Sequence, residues 1–117
     1  MTIQIQRIYE NEQNEGTRIL VDRVWPRGVS KEDANLDYWL KDIGPTTELR
    51  KWFNHDPKLY AAFKEKYAKE LRENESQKEA FEKLKSIVSK AEGDVILLFA
   101  AKDEQHNQAI VLQDLLN

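Results

Sequence analysis

The chain has 117 residues, of which 18 are basic and 21 acidic, and it contains no cysteine. This length is typical of one domain, so we expect a single domain over residues 1–117. The absence of cysteine excludes disulfides, thiolate metal sites and thiol catalysis, and it fits a reducing compartment, so we expect a cytoplasmic protein. The formal net charge is −3, with both signs mixed along the chain. A nucleic-acid-binding function is therefore disfavoured, because it needs a basic face that displaces counterions.

Three segments have the apolar pattern of β-strands. Apolar residues alternate over residues 3–9, and a continuous branched run over residues 18–24 is typical of a strand buried on both faces of a parallel sheet. Residues 94–101 give the strongest strand pattern, and the alternation over residues 36–40 allows one more short strand. The longest apolar run, residues 95–101, is far shorter than the ~20 residues that span a bilayer, so no membrane segment is predicted.

Capping residues and helical periodicity predict a series of helices. Thr46 or Thr47 begins the first one, and Pro57 suits the first turn of a longer helix. The apolar stripe of that longer helix consists of Tyr60, Phe63, Tyr67 and Leu71. A capping-box pattern at residues 76–79 opens the next helix, and Asp103 caps the last one. Helices between strands favour a compact three-layer α/β fold, with a mostly parallel sheet flanked by helices.

Two polar segments follow predicted strands, at the edge of the sheet where open α/β proteins bind their ligands. In the first segment, Arg23 and Arg27 can form a guanidinium fork for a phosphate or carboxylate. Gly28 lets backbone N–H groups approach the same anion, and Trp25 offers a stacking face for a ring. The alternative is that Arg23 pairs with Asp22 or another carboxylate. In that case Trp25 packs in the core and Arg27 is solvated.

The second polar segment, residues 102–107, follows the last predicted strand and contains Asp103 and His106. With Asp103 as the cap, His106 becomes the third helical residue, where the helix dipole favours an anionic ligand. The two side chains can then face a ligand as a carboxylate and a neutral imidazole. The alternative is that Asp103 serves only as a helix cap.

His55 and Asp56 lie at a junction between two predicted helices. If this junction folds over the carboxyl edge of the sheet, His55 is a candidate general acid or base; otherwise it is a capping or packing residue. The two histidines and the scattered carboxylates lack a recognisable metal-ligand spacing, so no metal site is predicted. A divalent ion held by Asp22, Asp56 and Asp103 has no support in the spacing. No P-loop or dinucleotide fingerprint occurs, so no cofactor is identified.

Four motifs spread over nearly the whole chain are specific when taken together. They are DRVWPRG at residues 22–28, LDYWLK at 36–41, LRKWFNHDP at 49–57 and LLFAAKDEQHN at 97–107. With these motifs the chain resembles the YeaO-like family, a branch of proteins classed by a domain of unknown function. The resemblance implies a compact three-layer α/β domain and carries no agreed biochemical activity. The family's characteristic polar positions correspond here to Arg23, Arg27, His55, Asp56, Asp103, His106 and Asn107.

The leading hypothesis is that the chain binds a small phosphorylated or nucleotide-like anion and acts on it as a hydrolase or transferase. The ligand-binding candidates are Arg23, Trp25, Arg27, Gly28 and Asn107, and the catalytic candidates are His55, Asp56, Asp103 and His106. In this scheme a histidine transfers a proton, while an aspartate orients the imidazole or activates water. The alternatives are a non-catalytic ligand sensor with the same pocket, and a protein-interaction module that uses exposed aromatic residues such as Trp39. The sequence leaves open whether the protein is an enzyme and how it oligomerises.

Overall fold

The computed structural model describes residues 2–117, which fold around one parallel β-sheet of four strands. The strands are β1 (Ile3–Arg7), β2 (Thr17–Leu20), β3 (Tyr38–Trp39) and β4 (Val95–Phe99), in the spatial order β1-β4-β2-β3. The last strand in sequence therefore lies between the first two, and Val95 stands opposite both Ile3 and Thr17. All neighbouring strands run parallel, which confirms the predicted sheet.

β4 occupies an interior position in the sheet, and all five of its side chains are buried. Because successive side chains of a strand point to opposite faces, β4 contributes to two separate apolar cores. Leu97 belongs to the larger core on one face, whereas Ile96 and Leu98 belong to the smaller core on the other face. A strand covered on both faces needs an uninterrupted apolar run, which is why the sequence pattern identified it.

The helices cover both faces of the sheet unequally. They are α1 (Lys31–Ala34), α2 (Thr47–Phe53), α3 (Tyr60–Glu73), α4 (Glu75–Lys90) and α5 (Gln108–Leu116), with 3-10 turns at Lys41–Ile43 and Pro57–Leu59. The larger core includes residues of α2, α3, α4 and α5, whereas α1 packs against the smaller core. The predicted three-layer arrangement is therefore confirmed. Within residues 2–117, no helix has the length and apolarity that crossing a bilayer requires.

Most of the predicted helix signals are confirmed. The apolar stripe of α3 is buried as expected, at Tyr60, Phe63, Tyr67 and Leu71. Thr46 is the N-cap of α2, and its hydroxyl accepts a hydrogen bond from the backbone N–H of Leu49 at 3.2 Å. The capping box at residues 76–79 predicts Ser76 as the N-cap, but α4 begins two residues earlier than that implies, at Glu75 with Asn74 as its N-cap. Asn74 also ends α3, so one residue with extended backbone (φ −82°, ψ 123°) separates two long helices.

β2 is shorter than the apolar run over residues 18–24 predicted. The backbone N–H of Val21 still donates to the carbonyl of Leu98 at 3.0 Å. Beyond that point, the N–H of Ala100 donates to the carboxylate of Asp22 at 2.9 Å. A side chain thus replaces the main chain as hydrogen-bond acceptor, and the chain leaves the sheet there.

Candidate functional site

The candidate site lies at the carboxyl edge of the sheet, between the ends of β2 and β4. After β2 the chain continues into α1 on the face of the smaller core, whereas after β4 it continues into α5 on the face of the larger core. Neighbouring parallel strands whose connections leave to opposite faces open a crevice between their ends, and open α/β sheets bind ligands there. Residues 21–28 and 100–108 follow these two strands.

Asp22 joins the two sides of this edge. Its carboxylate accepts hydrogen bonds from the backbone N–H of Ala100 at 2.9 Å and from the side-chain amide of Gln108, in the first turn of α5. Burial raises the pKa of Asp22 to about 6, although both hydrogen bonds and the positive charge of Arg50 act in the opposite direction. Asp22 is therefore a carboxyl group that changes protonation close to neutral pH.

Asp103 and His106 form a hydrogen-bonded pair in the loop after β4. The Oδ2 atom of Asp103 lies 2.9 Å from Nδ1 of His106, while Oδ1 accepts the backbone N–H groups of Gln105 and His106 at 2.9 and 3.1 Å. These bonds, with that from Gln105 largest, hold the pKa of Asp103 below its ordinary value, so the group is a carboxylate at neutral pH. An ionised Asp103 favours the tautomer with hydrogen on Nδ1, which leaves the Nε2 lone pair of His106 open. The imidazole ring also meets the Tyr60 ring edge-on at 5.1 Å.

The predicted cap of the last helix is wrong. α5 begins at Gln108, and its N-cap is Asn107, whose Oδ1 accepts the backbone N–H of Ile110 at 3.1 Å. Asp103 caps the preceding turn instead, because its Oδ1 is already occupied by N–H groups of that turn. His106 therefore lies outside the helix, and its hydrogen bond to Asp103 orients the ring. Asn107 is only 2% exposed. Its role in ligand binding stays a prediction.

The two arginines of the first polar segment have different surroundings. Nε of Arg23 donates to the carbonyl of Pro45 at 2.8 Å, and Nη2 lies 3.5 Å from the carbonyl of Asp42. Arg23 is thus held by backbone carbonyls and not, as the alternative had predicted, by a carboxylate. Arg27 is exposed, and its carbonyl accepts the hydroxyl of Tyr9 at 2.9 Å. The fork of both arginines around one anion stays a prediction.

Trp25 and Gly28 serve the turn that follows β2. The indole N–H of Trp25 donates to the carbonyl of Val29 at 2.7 Å, and the half-buried ring packs on the smaller core. Gly28 has φ +78°, a conformation that glycine adopts without a steric penalty, and a Cβ there would meet nothing within 4 Å. Trp25 was predicted to offer a stacking face, but the neighbouring Trp39 is the more exposed indole. Its N–H donates to the carbonyl of Asp22 at 2.7 Å.

The junction between α2 and α3 does reach the loop after β4. His55 is exposed and has a left-handed backbone (φ 54°), and its ring lies 6.4 Å from that of Phe53. Phe53 lies 5.9 Å from Tyr60, which in turn contacts His106. The two histidines therefore flank one pair of buried rings. Asp56 accepts the backbone N–H of Lys58 at 3.0 Å and caps the 3-10 turn.

The described residues form no metal cluster at this edge of the sheet, and two cavities of the molecule lie elsewhere. Among residues 2–117, no three histidine or carboxylate side chains are placed to hold a metal ion together. A cavity of about 540 Å³ lies at the opposite edge of the sheet and includes Thr17, Tyr38 and Asp94. A groove of about 410 Å³ between α2 and α3 includes Trp52 and Lys66.

Three groups at this edge were given no role in the anion site on the basis of the sequence. Asp22 was predicted only as a partner of Arg23 and as part of an unsupported metal site, because its contacts with Ala100 and Gln108 join segments that are remote in sequence. Arg50, whose charge acts on Asp22, has no signal in the sequence beyond lying on a helix. Trp39 was predicted only as an exposed aromatic residue for protein interaction, although a residue at the carboxyl end of a short strand lies where ligands bind.

Comparisons with known proteins agree on the family. The family model described as "Domain of unknown function DUF488" matches residues 4–116. The "Uncharacterized protein YeaO" of Escherichia coli is 45% identical over 117 residues, covering 99% of this chain and 97% of that protein. An uncharacterized protein of Mycobacterium tuberculosis is 33% identical over 116 residues, covering 98% and 93%. No solved structure gave a significant match. The chain therefore belongs to the DUF488 family.

Proposed function

We propose that this protein binds a small phosphorylated or nucleotide-like anion at the carboxyl edge of its sheet and transfers a proton to or from it, as a hydrolase or transferase. The observation that carries the proposal is the 2.9 Å hydrogen bond between Asp103 and Nδ1 of His106 at the end of an interior strand. A carboxylate-bound imidazole is a common proton-transfer device in hydrolytic enzymes. The side chain of His106 is about a third exposed (34%), so a ligand can reach it.

The proton would move through Nε2 of His106. With Nδ1–H directed at the Asp103 carboxylate, Nε2 accepts a proton from water or from an acceptor hydroxyl that attacks the phosphorus. The negative charge of Asp103 stabilises the imidazolium that forms. The same proton can then pass to the leaving oxygen. His55 and Asp56 are the second choice for these roles, because no hydrogen bond joins the His55 ring to a carboxylate among the described residues.

Positive charge for the anion comes from arginines near this edge. Arg27 and Arg50 are exposed, and Arg23 directs two of its nitrogens to backbone carbonyls. Guanidinium groups bind phosphate oxygens with paired, charge-assisted hydrogen bonds. Asp22, with its pKa raised to about 6, supplies a second proton-exchanging group, on which the charge of Arg50 acts. Acid and base groups at two adjacent strand ends favour an enzyme over a passive binding protein.

The test measures binding and turnover separately. Thermal unfolding of the protein with AMP, ribose 5-phosphate, acetyl phosphate or inorganic phosphate identifies a binding probe, since ligands that bind only the native state raise the unfolding temperature. Arg27→Ala should weaken that binding without loss of folding. Release of inorganic phosphate or transfer of the phosphoryl group from the probe then measures turnover. His106→Gln should keep probe binding and lower turnover by roughly 10²- to 10⁴-fold.

The matched control is His55→Gln, which alters the second histidine and should keep both binding and turnover. If none of the phosphorylated probes raises the unfolding temperature, the anion-binding proposal is wrong. If a probe binds and His106→Gln leaves its turnover unchanged, the assignment of the proton transfer to His106 is wrong. Binding without any turnover in the unmodified protein would favour the second candidate, a non-catalytic sensor for the same ligand.

A further inference from the structure

Trp39 presents a rigidly held ring at the proposed anion site. It is the last residue of β3, and its indole N–H donates to the carbonyl of Asp22 at 2.7 Å. The Trp25 ring meets it edge-on, with centroids 5.3 Å apart and planes at 73°. Despite these contacts, 38% of Trp39 remains exposed. The ring is therefore fixed in orientation while part of its surface faces solvent.

In this arrangement Trp39 is an aromatic platform on which a flat ring can stack, and Trp25 supports it. Trp25 is half-buried on the smaller core and directs its own N–H to Val29, so both ends of that side chain are held within the protein. A fixed aromatic platform binds a flat ring with little loss of side-chain entropy, because the ordering has already taken place on folding. Aromatic rings prefer offset stacking or edge-on contacts, and the two indoles already make an edge-on contact with each other.

The platform is linked to the ionisable part of the site through a single residue. Asp22 gives its carbonyl to Trp39 and its carboxylate to Ala100 and Gln108. A molecule lying on Trp39 therefore sits beside the crevice between β2 and β4. The exposed Lys41 places its Nζ over the face of this indole, 5.9 Å from the ring centroid, so a base that stacks on that face displaces the lysine and finds a positive charge next to it. A flat ring and a negative charge can thus be recognised side by side.

From this juxtaposition we infer that the ligand is a nucleoside phosphate, with its base stacked on Trp39 and its phosphate held by the arginines of the same edge. The inference rests on the proposed function and narrows its ligand class from phosphorylated compounds in general to those with a heteroaromatic ring. Stacking of a base on an aromatic side chain contributes roughly 1–3 kcal/mol, or about 5- to 150-fold in affinity. The ring, and not only the phosphate, should therefore decide affinity.

The experiment compares AMP with ribose 5-phosphate, which carries the same phosphate and sugar without the base. Titration calorimetry on the unmodified protein should give about 5- to 150-fold tighter binding of AMP. Trp39→Leu should remove that preference and leave the affinity for ribose 5-phosphate unchanged. Trp39→Phe keeps a ring at the site and should retain part of the preference, and circular dichroism checks that each variant folds.

Trp52→Leu is the matched control. Trp52 is 42% exposed and has a lysine, Lys66, 4.9 Å from its ring centroid, but it lies in the groove between α2 and α3. Its replacement should leave the preference for AMP intact. Equal affinities for AMP and ribose 5-phosphate in the unmodified protein would overturn the inference and leave the anion site standing. Equal loss of preference in both tryptophan variants would also overturn it, and no binding of either compound would overturn the proposed function itself.

Discussion

The substitution Asp22→Asn should stabilise the protein at neutral pH. Burial is the largest influence on this carboxyl group and raises its pKa from 3.8 to about 6. An asparagine keeps the size of the side chain and can still accept the N–H of Ala100. The amide of Gln108 can turn over to accept from the new side chain, so both contacts have a counterpart in the variant. The variant lacks only the cost of ionising a buried group.

The magnitude follows from the pKa shift. Between pH 3.8 and about 6 the folded state retains a proton on Asp22 that the unfolded state has released, so the free energy of unfolding falls as the pH rises. Above pH 6 the loss is complete and stays constant. A shift of about 2 pKa units corresponds to about 3 kcal/mol, at 1.36 kcal/mol per unit. Asp22→Asn should therefore match the unmodified protein near pH 4 and exceed it by about 2–3 kcal/mol at pH 7.5.

The assay is urea unfolding followed by tryptophan fluorescence, repeated from pH 4 to pH 7.5 and extrapolated linearly to zero denaturant. Asp42→Asn is the control, because Asp42 is an exposed carboxylate on the neighbouring 3-10 turn and should give the pH profile of the unmodified protein. A stability difference between Asp22→Asn and the unmodified protein that is the same at every pH would refute the reasoning. It would mean that Asp22 ionises equally well in the folded and unfolded chains.

Two further substitutions test strained positions in the backbone. His55→Gly should raise the free energy of unfolding by about 1 kcal/mol, because His55 has a left-handed backbone (φ 54°) that glycine adopts freely; unchanged or lower stability in urea unfolding would contradict this. Gly16→Ala should lower stability by at least about 2 kcal/mol, because a Cβ at φ +146° would lie 2.4 Å from the carbonyl oxygen of Asp94. Gly93→Ala, where a Cβ meets nothing within 4 Å, should be close to neutral, and equal effects at both glycines would show the steric argument to be mistaken.

The fold could be predicted largely because its cores are patterned locally. The apolar run at residues 95–99 became an interior strand, and the spacing from Tyr60 to Leu71 became the buried stripe of α3. The start of the last helix was harder to predict, since Asp103 and Asn107 are both good caps and lie one turn apart. The structure uses Asn107 as the cap of this helix. The carbonyl of Asn107 also accepts the hydroxyl of Tyr60, a tertiary contact that the local sequence does not reveal.

The sequence predicted the location of the candidate site better than the groups that form it. The rule that ligands bind beyond the carboxyl ends of parallel strands selected the segments containing Asp103 and His106, which are in direct contact. The altered pKa of Asp22 could not be derived in the same way. It results from burial where segments remote in sequence meet, and the hydrogen bond from Gln108 acts against it. Such shifts arise only when remote segments pack together.

The position of β4 between β1 and β2 has a consequence for how the chain must fold. β1 and β2 do not pair with each other. Before β4 is made, β1 has no sheet partner, and β2 has only the two-residue β3. Ile3 of β1 pairs with Val95 of β4, which lies far along the chain. The long α3 and α4 helices lie between these strands in sequence and form from local contacts. During synthesis the sheet therefore stays open until its central strand emerges near the end of the chain. We expect folding to be slow for a domain of this size, with β4 insertion as the committing step.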